Sequence, residues 1–203
     1  MIIQLSSEHP SSYRIQRMAK LLEDGGVIAI PTDTCYALAC LPHKKNAVEQ
    51  LVKLRHLDPK KPKALLFSSI QQISLYTLLS DSNFRLLKRF LPGPYCFILE
   101  SNRKLPRFIG DKRRHVGVRM PNHAVTLALL AELDTPLTVT SAIDPNGDVM
   151  LYDPWSIEET FGHGLAAVID SGEVPGEVSS VVKLIDEQHE VIREGLGDIS
   201  AFI

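Results

Sequence analysis

"GGVIAIPTDTCYALAC" spans residues 25–40, and its reading decides the fold. Val27 to Ile30 form a short apolar run entered from two glycines, the pattern of a buried strand that follows a helix stop. Pro31 ends the run, because proline brings no N–H to a sheet ladder. Three polar side chains follow at once, Thr32, Asp33 and Thr34, before "CYALAC" turns apolar again as a second strand. Open α/β sheets hold ligands where strands end and neighbouring elements separate into a crevice. The same residue types also make turns and caps, so one such strand end is weak evidence.

Working outward, the flanks alternate between helix and strand. "SSYRIQRMAKLLED" (11–24) sets Ile15, Met18, Ala19 and Leu22 on one helical face, with Ser11 or Ser12 as N-cap and Gly25-Gly26 as the stop. "NAVEQLVKLRHL" predicts a helix capped by Asn46 and ending near Leu57, followed by the basic loop "DPKKPK". "ALLF" reads as a strand, and "IQQISLYTLL" and "SNFRLLKRFL" as helices. "YCFILES" and "HVGVRMP" alternate like strands, "HAVTLALLAEL" is helical, and "LTVTSAI" is a strand running into the turn-rich "DPNGD". "PWSIEETFG" reads as a helix, and "LAAVID", "VSSVVKLI" and "HEVIR" as late strands. No repeat or long linker interrupts the chain. The expectation is one α/β domain over 1–203, with its core at about 14–199, built as a twisted open mixed sheet with covering helices.

Composition bounds the function. The 203 residues are 44% hydrophobic and the mean hydropathy is near zero, which suits one sizeable core. No apolar stretch approaches the ~20 residues that span a bilayer, and "MIIQLSSEHP" lacks the basic and long apolar regions of a leader, so a cytoplasmic protein without a membrane partner is expected. Cys35, Cys40 and Cys96 have neither a disulfide framework nor zinc-ligand spacing, and read as reduced, partly buried thiols with no protein-held metal. The net charge of −2 conceals an asymmetry. Residues 1–131 carry 20 Lys/Arg and nine acids, and residues 132–203 carry two Lys/Arg and 15 acids. Around the single acid Asp111 cluster Arg103, Lys104, Arg107, Lys112, Arg113, Arg114 and Arg119, a pattern that attracts phosphates unless the acidic third neutralises it.

Three strands end in polar residues, "IAIPTDT", "GVRMP" and "TVTSA", and a basic loop accompanies them. Neither G-x-x-x-x-G-K-[ST] nor a strand-to-helix G-x-G-x-x-G is present, so phosphates would be met by side chains such as Lys53, Arg55, Lys60, Lys61 and Lys63. Residues two apart on a helix point roughly 200° apart, so Lys53 and Arg55 cannot both face one ligand from mid-helix. One of them must act from the frayed end, or serve the negative C-terminal end of the helix dipole.

The set "GGVIAIPTDTCYALAC", "KLR" at 53–55, "LPGPYCFILE", "VGVRMP", "TVTSA", "SSVVKL" and "VIREGLGDI" resembles, in order and over nearly the whole chain, the YrdC-like proteins, which include the L-threonylcarbamoyl-adenylate synthases. The resemblance implies the YrdC-like fold with a concave basic face. It also implies a reaction in which ATP, bicarbonate and threonine give threonylcarbamoyl-AMP and pyrophosphate, feeding a transfer-RNA modification. Carried over by motif, Lys53 and Arg55 would be catalytic and, with Lys61 and Arg193, would hold the nucleotide. Thr32, Arg119, Ser141, Ser179 and Ser180 would line the threonine pocket, with Mg²⁺ arriving on ATP. Arg119 suits a carboxylate as a planar fork.

Departures from the synthase pattern point to the YciO-like branch. Synthases carry Ser-x-Asn where this chain has Ser141-Ala142-Ile143, a loss worth on the order of 1–3 kcal/mol in a ligand contact. "KALLF" stands where synthases have a histidine, and "YALAC" replaces a glycine-bearing form. Two roles follow: an ATP-dependent synthase of a carbamoyl-adenylate, or a protein binding double-stranded or transfer RNA through Arg103, Lys104, Arg107, Lys112, Arg113 and Arg114.

Overall fold

The computed structural model describes residues 1–59, 63–102, 104–106, 108–109, 114–185 and 188–203. Among them run ten strands: β1 (Ile2–Gln4), β2 (Ile28–Ile30), β3 (Ala37–Cys40), β4 (Ala64–Leu66), β5 (Tyr95–Glu100), β6 (His115–Arg119), β7 (Leu137–Ser141), β8 (Ala167–Asp170), β9 (Ser180–Ile185) and β10 (Gln188–Arg193). They form one sheet in the order β1-β8-β2-β3-β7-β4-β6-β5-β9-β10. It is mixed: β1/β8, β2/β8, β4/β6 and β5/β9 are parallel, and the other neighbours are antiparallel. Six helices accompany it: α1 (Ser12–Glu23), α2 (Lys45–Leu54), α3 (Ile70–Tyr76), α4 (Asp81–Phe90), α5 (Ala124–Leu133) and α6 (Pro154–Phe161).

Local chemistry accounts for most boundaries. In α1 the buried positions are Ile15, Met18, Ala19 and Leu22, and the chain leaves the helix through Gly25 at φ +91°, a conformation that favours glycine. Side-chain oxygens of Ser69, Ser80 and Asp153 accept backbone N–H groups at the starts of α3, α4 and α6, where Pro154 follows its cap. Asn46 is not the cap of α2. The turn from Leu41 to Lys44 runs straight into the helix, and the Lys44 carbonyl accepts the Val48 N–H. Likewise α3 stops at Tyr76, because Thr77 leaves to bridge Ser101 and Leu78 donates its N–H to the Glu100 carbonyl. Nothing local marks β1, three residues stabilised by parallel pairing with the distant β8.

Strand alternation divides the core in two. One face sends Leu38, Leu65, Phe97, Val118 and Val182 against α2, α3, α4 and α6. The opposite face sends Ile28, Ile30, Leu137 and Ile169 against Met18 and Leu22 of α1 and Leu129 and Leu130 of α5. Beyond the part covered by α1 and α5, this second face opens into a cavity of about 240 Å³. All three cysteines are free and buried, more deeply than their sequence context implied. No described helix is long and apolar enough to cross a membrane.

Candidate active site

The cavity exists because the side chains of its floor are small. Ala37 of β3, Ala64 of β4 and Cys96 of β5 line it, with Val139, Thr140 and Ser141 of β7 on one side. Gly117 of β6 pairs with Ala64, and a Cβ placed there would come within 2.9 Å of the Cys96 sulfur. Burial pushes the Cys96 thiol pKa up, against the opposing influence of Arg119 and Arg193. The buried thiol forms part of the floor.

Arg119, the last residue of β6, is the most constrained cation of the cavity. Only 6% exposed, it donates from Nη2 to Asp33 Oδ1 at 3.1 Å and to Thr34 Oγ1 at 2.9 Å. Asp33 is fixed in turn by the Asn122 N–H, which donates to Oδ2 at 3.0 Å. The Arg119 Nε is buried and meets no acceptor. A buried donor left without an acceptor is costly, and here it belongs to a residue that lines the cavity.

The join at 31–35 has a division of labour. Thr32 is buried, accepts the N–H groups of Thr34 and Cys35, and donates to the Cys35 carbonyl. It shapes the turn and does not line the cavity, while its neighbours Asp33 and Thr34 hold Arg119. Ser179 and Ser180 part in the same way. Ser180 Oγ donates to the Gly197 carbonyl and accepts the Gly195 N–H beneath the sheet, whereas Ser179 lines the cavity. Alternation along β9 explains why adjacent serines differ. Arg193 lines the same wall, donating from Nε and Nη2 to the Ser179 carbonyl.

Arg55 lies just past the end of α2 and donates from Nε to the Ser141 carbonyl at 2.9 Å. Burial lowers its pKa and the nearby Asp148 and Asp144 raise it, so it stays a guanidinium. Lys53 sits apart, in an open groove with His56, Asn146 and His163. The geometric conflict between Lys53 and Arg55 is thus resolved in favour of separation. Ile143 pairs with Met150 in the turn that follows β7 and does not line the cavity.

Leu57, Asp58 and Lys63 complete the lining. Burial lowers the Lys63 pKa while Asp58 opposes that shift, and the Lys63 N–H donates to the Ile109 carbonyl. Lys104 is exposed and Arg114 is half-buried at φ +65°. Lys61, Arg103, Arg107, Lys112 and Arg113 lie outside the described residues. Sequence reasoning did not single out Asp33, Thr34, Cys96 or Asp58 as site residues. Only the carboxylate of Asp33, placed at a strand end beside two hydroxyls, carried a signal that could have found it.

Comparison with known proteins agrees with this architecture. A family model described as telomere recombination, for Sua5, YciO and YrdC proteins, matches residues 20–195. Uncharacterized protein YciO of Escherichia coli K12 is 32% identical over 197 residues, covering 97% of this chain and 96% of that protein. The crystal structure of E. coli YciO superposes with a TM-score of 0.95 at 30% identity, over 100% of this chain and 99% of the other. Threonylcarbamoyl-AMP synthase of Chromobacterium violaceum is 34% identical over 134 residues, 66% of this chain and 69% of that enzyme. Sua5 of Pyrococcus abyssi, solved in complex with L-threonine, superposes with a TM-score of 0.89 at 27% identity, over 96% of this chain and 57% of that one. A mixed sheet whose open face is lined by Arg119, Ser141, Ser179 and Arg193 thus comes with a chain that belongs to the Sua5/YciO/YrdC family.

Proposed function

We propose that the cavity binds a small amino acid and ATP and forms a carbamoyl-adenylate, threonylcarbamoyl-AMP being the first candidate product, in support of threonylcarbamoyladenosine modification of transfer RNA. The observation that carries this reading is Arg119, a buried guanidinium that lines the cavity, is oriented by Asp33 and Thr34, and has a buried Nε without a partner. It offers a directed donor to a carboxylate. The related P. abyssi protein was solved with L-threonine, which gives that carboxylate a natural owner.

The chemistry balances with few protein groups. The threonine amine attacks the carbon of bicarbonate, the C–N bond forms, and water departs to leave a carbamate. A carbamate oxygen then attacks the α-phosphorus of ATP, the bond to the β-phosphate oxygen breaks, and pyrophosphate leaves with its electron pair. Two anions must approach one another, so the protein contributes position and positive charge in place of a nucleophile. Arg193, Lys63 and Arg55 stand around the cavity for that purpose, with Mg²⁺ entering as part of the ATP substrate. Lys53 would reach only phosphates that extend beyond the turn at 144–148.

Incubation with labelled ATP, L-threonine and bicarbonate tests the reading, with chromatographic detection of carbamoyl-adenylate and pyrophosphate. The expected result is product from the natural chain and about a hundredfold less from Arg55→Ala. Equal amounts from the two proteins, or none from either, would sink it. Steeply salt-dependent binding of double-stranded or transfer RNA alongside absent synthesis would favour the RNA role.

A further inference from the structure

We propose that Asp33 sorts the anions of the cavity, reserving Arg119 for a singly charged carboxylate and turning phosphate dianions toward Arg193. This rests on reading the cavity as an amino-acid and nucleotide site, and concerns how its two ends are told apart.

The two arginines differ in what holds them. Arg193 is oriented by the Ser179 carbonyl, a neutral acceptor, so its positive charge is uncompensated by that contact. Arg119 is oriented by a carboxylate at 3.1 Å, with the two side chains 7% and 11% exposed, and the pair has no net charge. Coulomb repulsion from Asp33 doubles when the incoming anion carries two charges instead of one, and water screens little of it at this depth. Donor supply acts in the same direction. Asp33 and Thr34 already occupy Arg119 Nη2, which leaves Nε as the buried donor without an acceptor. With Nη2 so engaged, the guanidinium cannot present its full five-donor fork to the three oxygens of a phosphate. Asp33 cannot swing aside to change this balance, because the Asn122 N–H holds its other oxygen.

The consequence is a direction built into the cavity. An amino acid enters carboxylate-first at Arg119, and doubly charged phosphoryl groups, such as inorganic or terminal phosphate, collect on the side of Arg193. The Asp33–Arg119 pair thereby sorts by charge number, which a lone arginine would not do.

Magnetic resonance titration tests this, reading the Arg119 Nε–H signal, assigned by its loss in Arg119→Lys. The natural chain, Asp33→Asn and Asp33→Glu are each titrated with L-threonine and with inorganic phosphate. The ratio of the threonine to the phosphate association constant should fall at least about tenfold in Asp33→Asn and recover in part in Asp33→Glu. A merely structural loss would weaken both ligands and leave the ratio alone, so an unchanged ratio overturns the proposal. The natural chain suffices if Asp33→Asn does not fold: phosphate moving the Nε–H signal as strongly as threonine, or threonine not moving it, also overturns it. Absence of carbamoyl-adenylate synthesis would remove the proposed reaction and leave this sorting intact, so the two ideas fail separately.

Discussion

Under α1 and α5 the sheet presents Ile28, Ile30, Leu137 and Ile169, whereas farther along the same face it presents Ala64, Cys96 and Ser179. Backbone geometry is continuous across this change, since β7, β4, β6 and β5 pair without interruption. What differs is side-chain volume and cover. Large residues under helices stabilise the fold by about 1.5–3 kcal/mol each through burial. Small residues in the open half give up that contribution and leave space where Arg119 and Arg193 can meet a ligand. On the proposed function, stability and binding are divided between two halves of one surface.

The largest expected effect belongs to the covered half. Leu129→Ala, in the buried face of α5, should cost about 2–5 kcal/mol in urea denaturation while leaving threonine affinity of the folded protein within twofold. A cost below about 1 kcal/mol would erase the contrast. In the open half the pattern should invert. Ala64→Leu puts three more carbons into the cavity and should weaken L-threonine binding by about tenfold or more in calorimetry, with stability within about 1 kcal/mol of the natural chain. Full binding by Ala64→Leu would mean that the ligand sits elsewhere.

The smallest effect lies where the halves are joined. The segment from 171 to 179 leads from β8, in the covered half, to Ser179 in the open one. Tyr36 Oη donates to the Gly172 carbonyl and accepts the Ser171 N–H, while the Thr34 carbonyl accepts the Gly176 N–H. Burial pushes the Tyr36 phenol up to about 12. A raised phenol favours its neutral form in the fold, so the stability it supports is whole below the unfolded value near 10 and declines as pH rises toward 12. Tyr36→Phe should cost about 0.5–1.5 kcal/mol at neutral pH and flatten part of that alkaline decline, read from urea midpoints between about pH 9 and 11.5. An undiminished slope would show that other groups carry it.

Local signals made much of the fold legible. Spacing alone placed Ile15, Met18 and Leu22 on the buried face of α1, and the break at Pro31 marked a strand end correctly. Non-local pairing was not legible: β1 depends on β8, some 165 residues away, and three residues carry no periodicity of their own. In the site, motif position brought together Arg55, Arg119, Ser141, Ser179 and Arg193. It did not tell Thr32 from Thr34, because which hydroxyl turns inward is decided by backbone bonds within the turn. Nor could it separate Lys53 from Arg55, which depends on where α2 ends and where the turn at 144–148 lies. Cys96 was hidden for a different reason. It looks like any core residue of an alternating strand until the open cavity above it makes it a floor.

The central claim is that the uncovered half of the face, and not the Lys53 groove, receives the substrates. A crystal structure of the protein with L-threonine and a non-hydrolysable ATP analogue tests it most directly. The threonine carboxylate is expected within hydrogen-bond distance of the Arg119 guanidinium, and the α-phosphate on the side of Arg193. Threonine bound away from Arg119, or an α-phosphate lying among Lys53, His56 and His163, would contradict it.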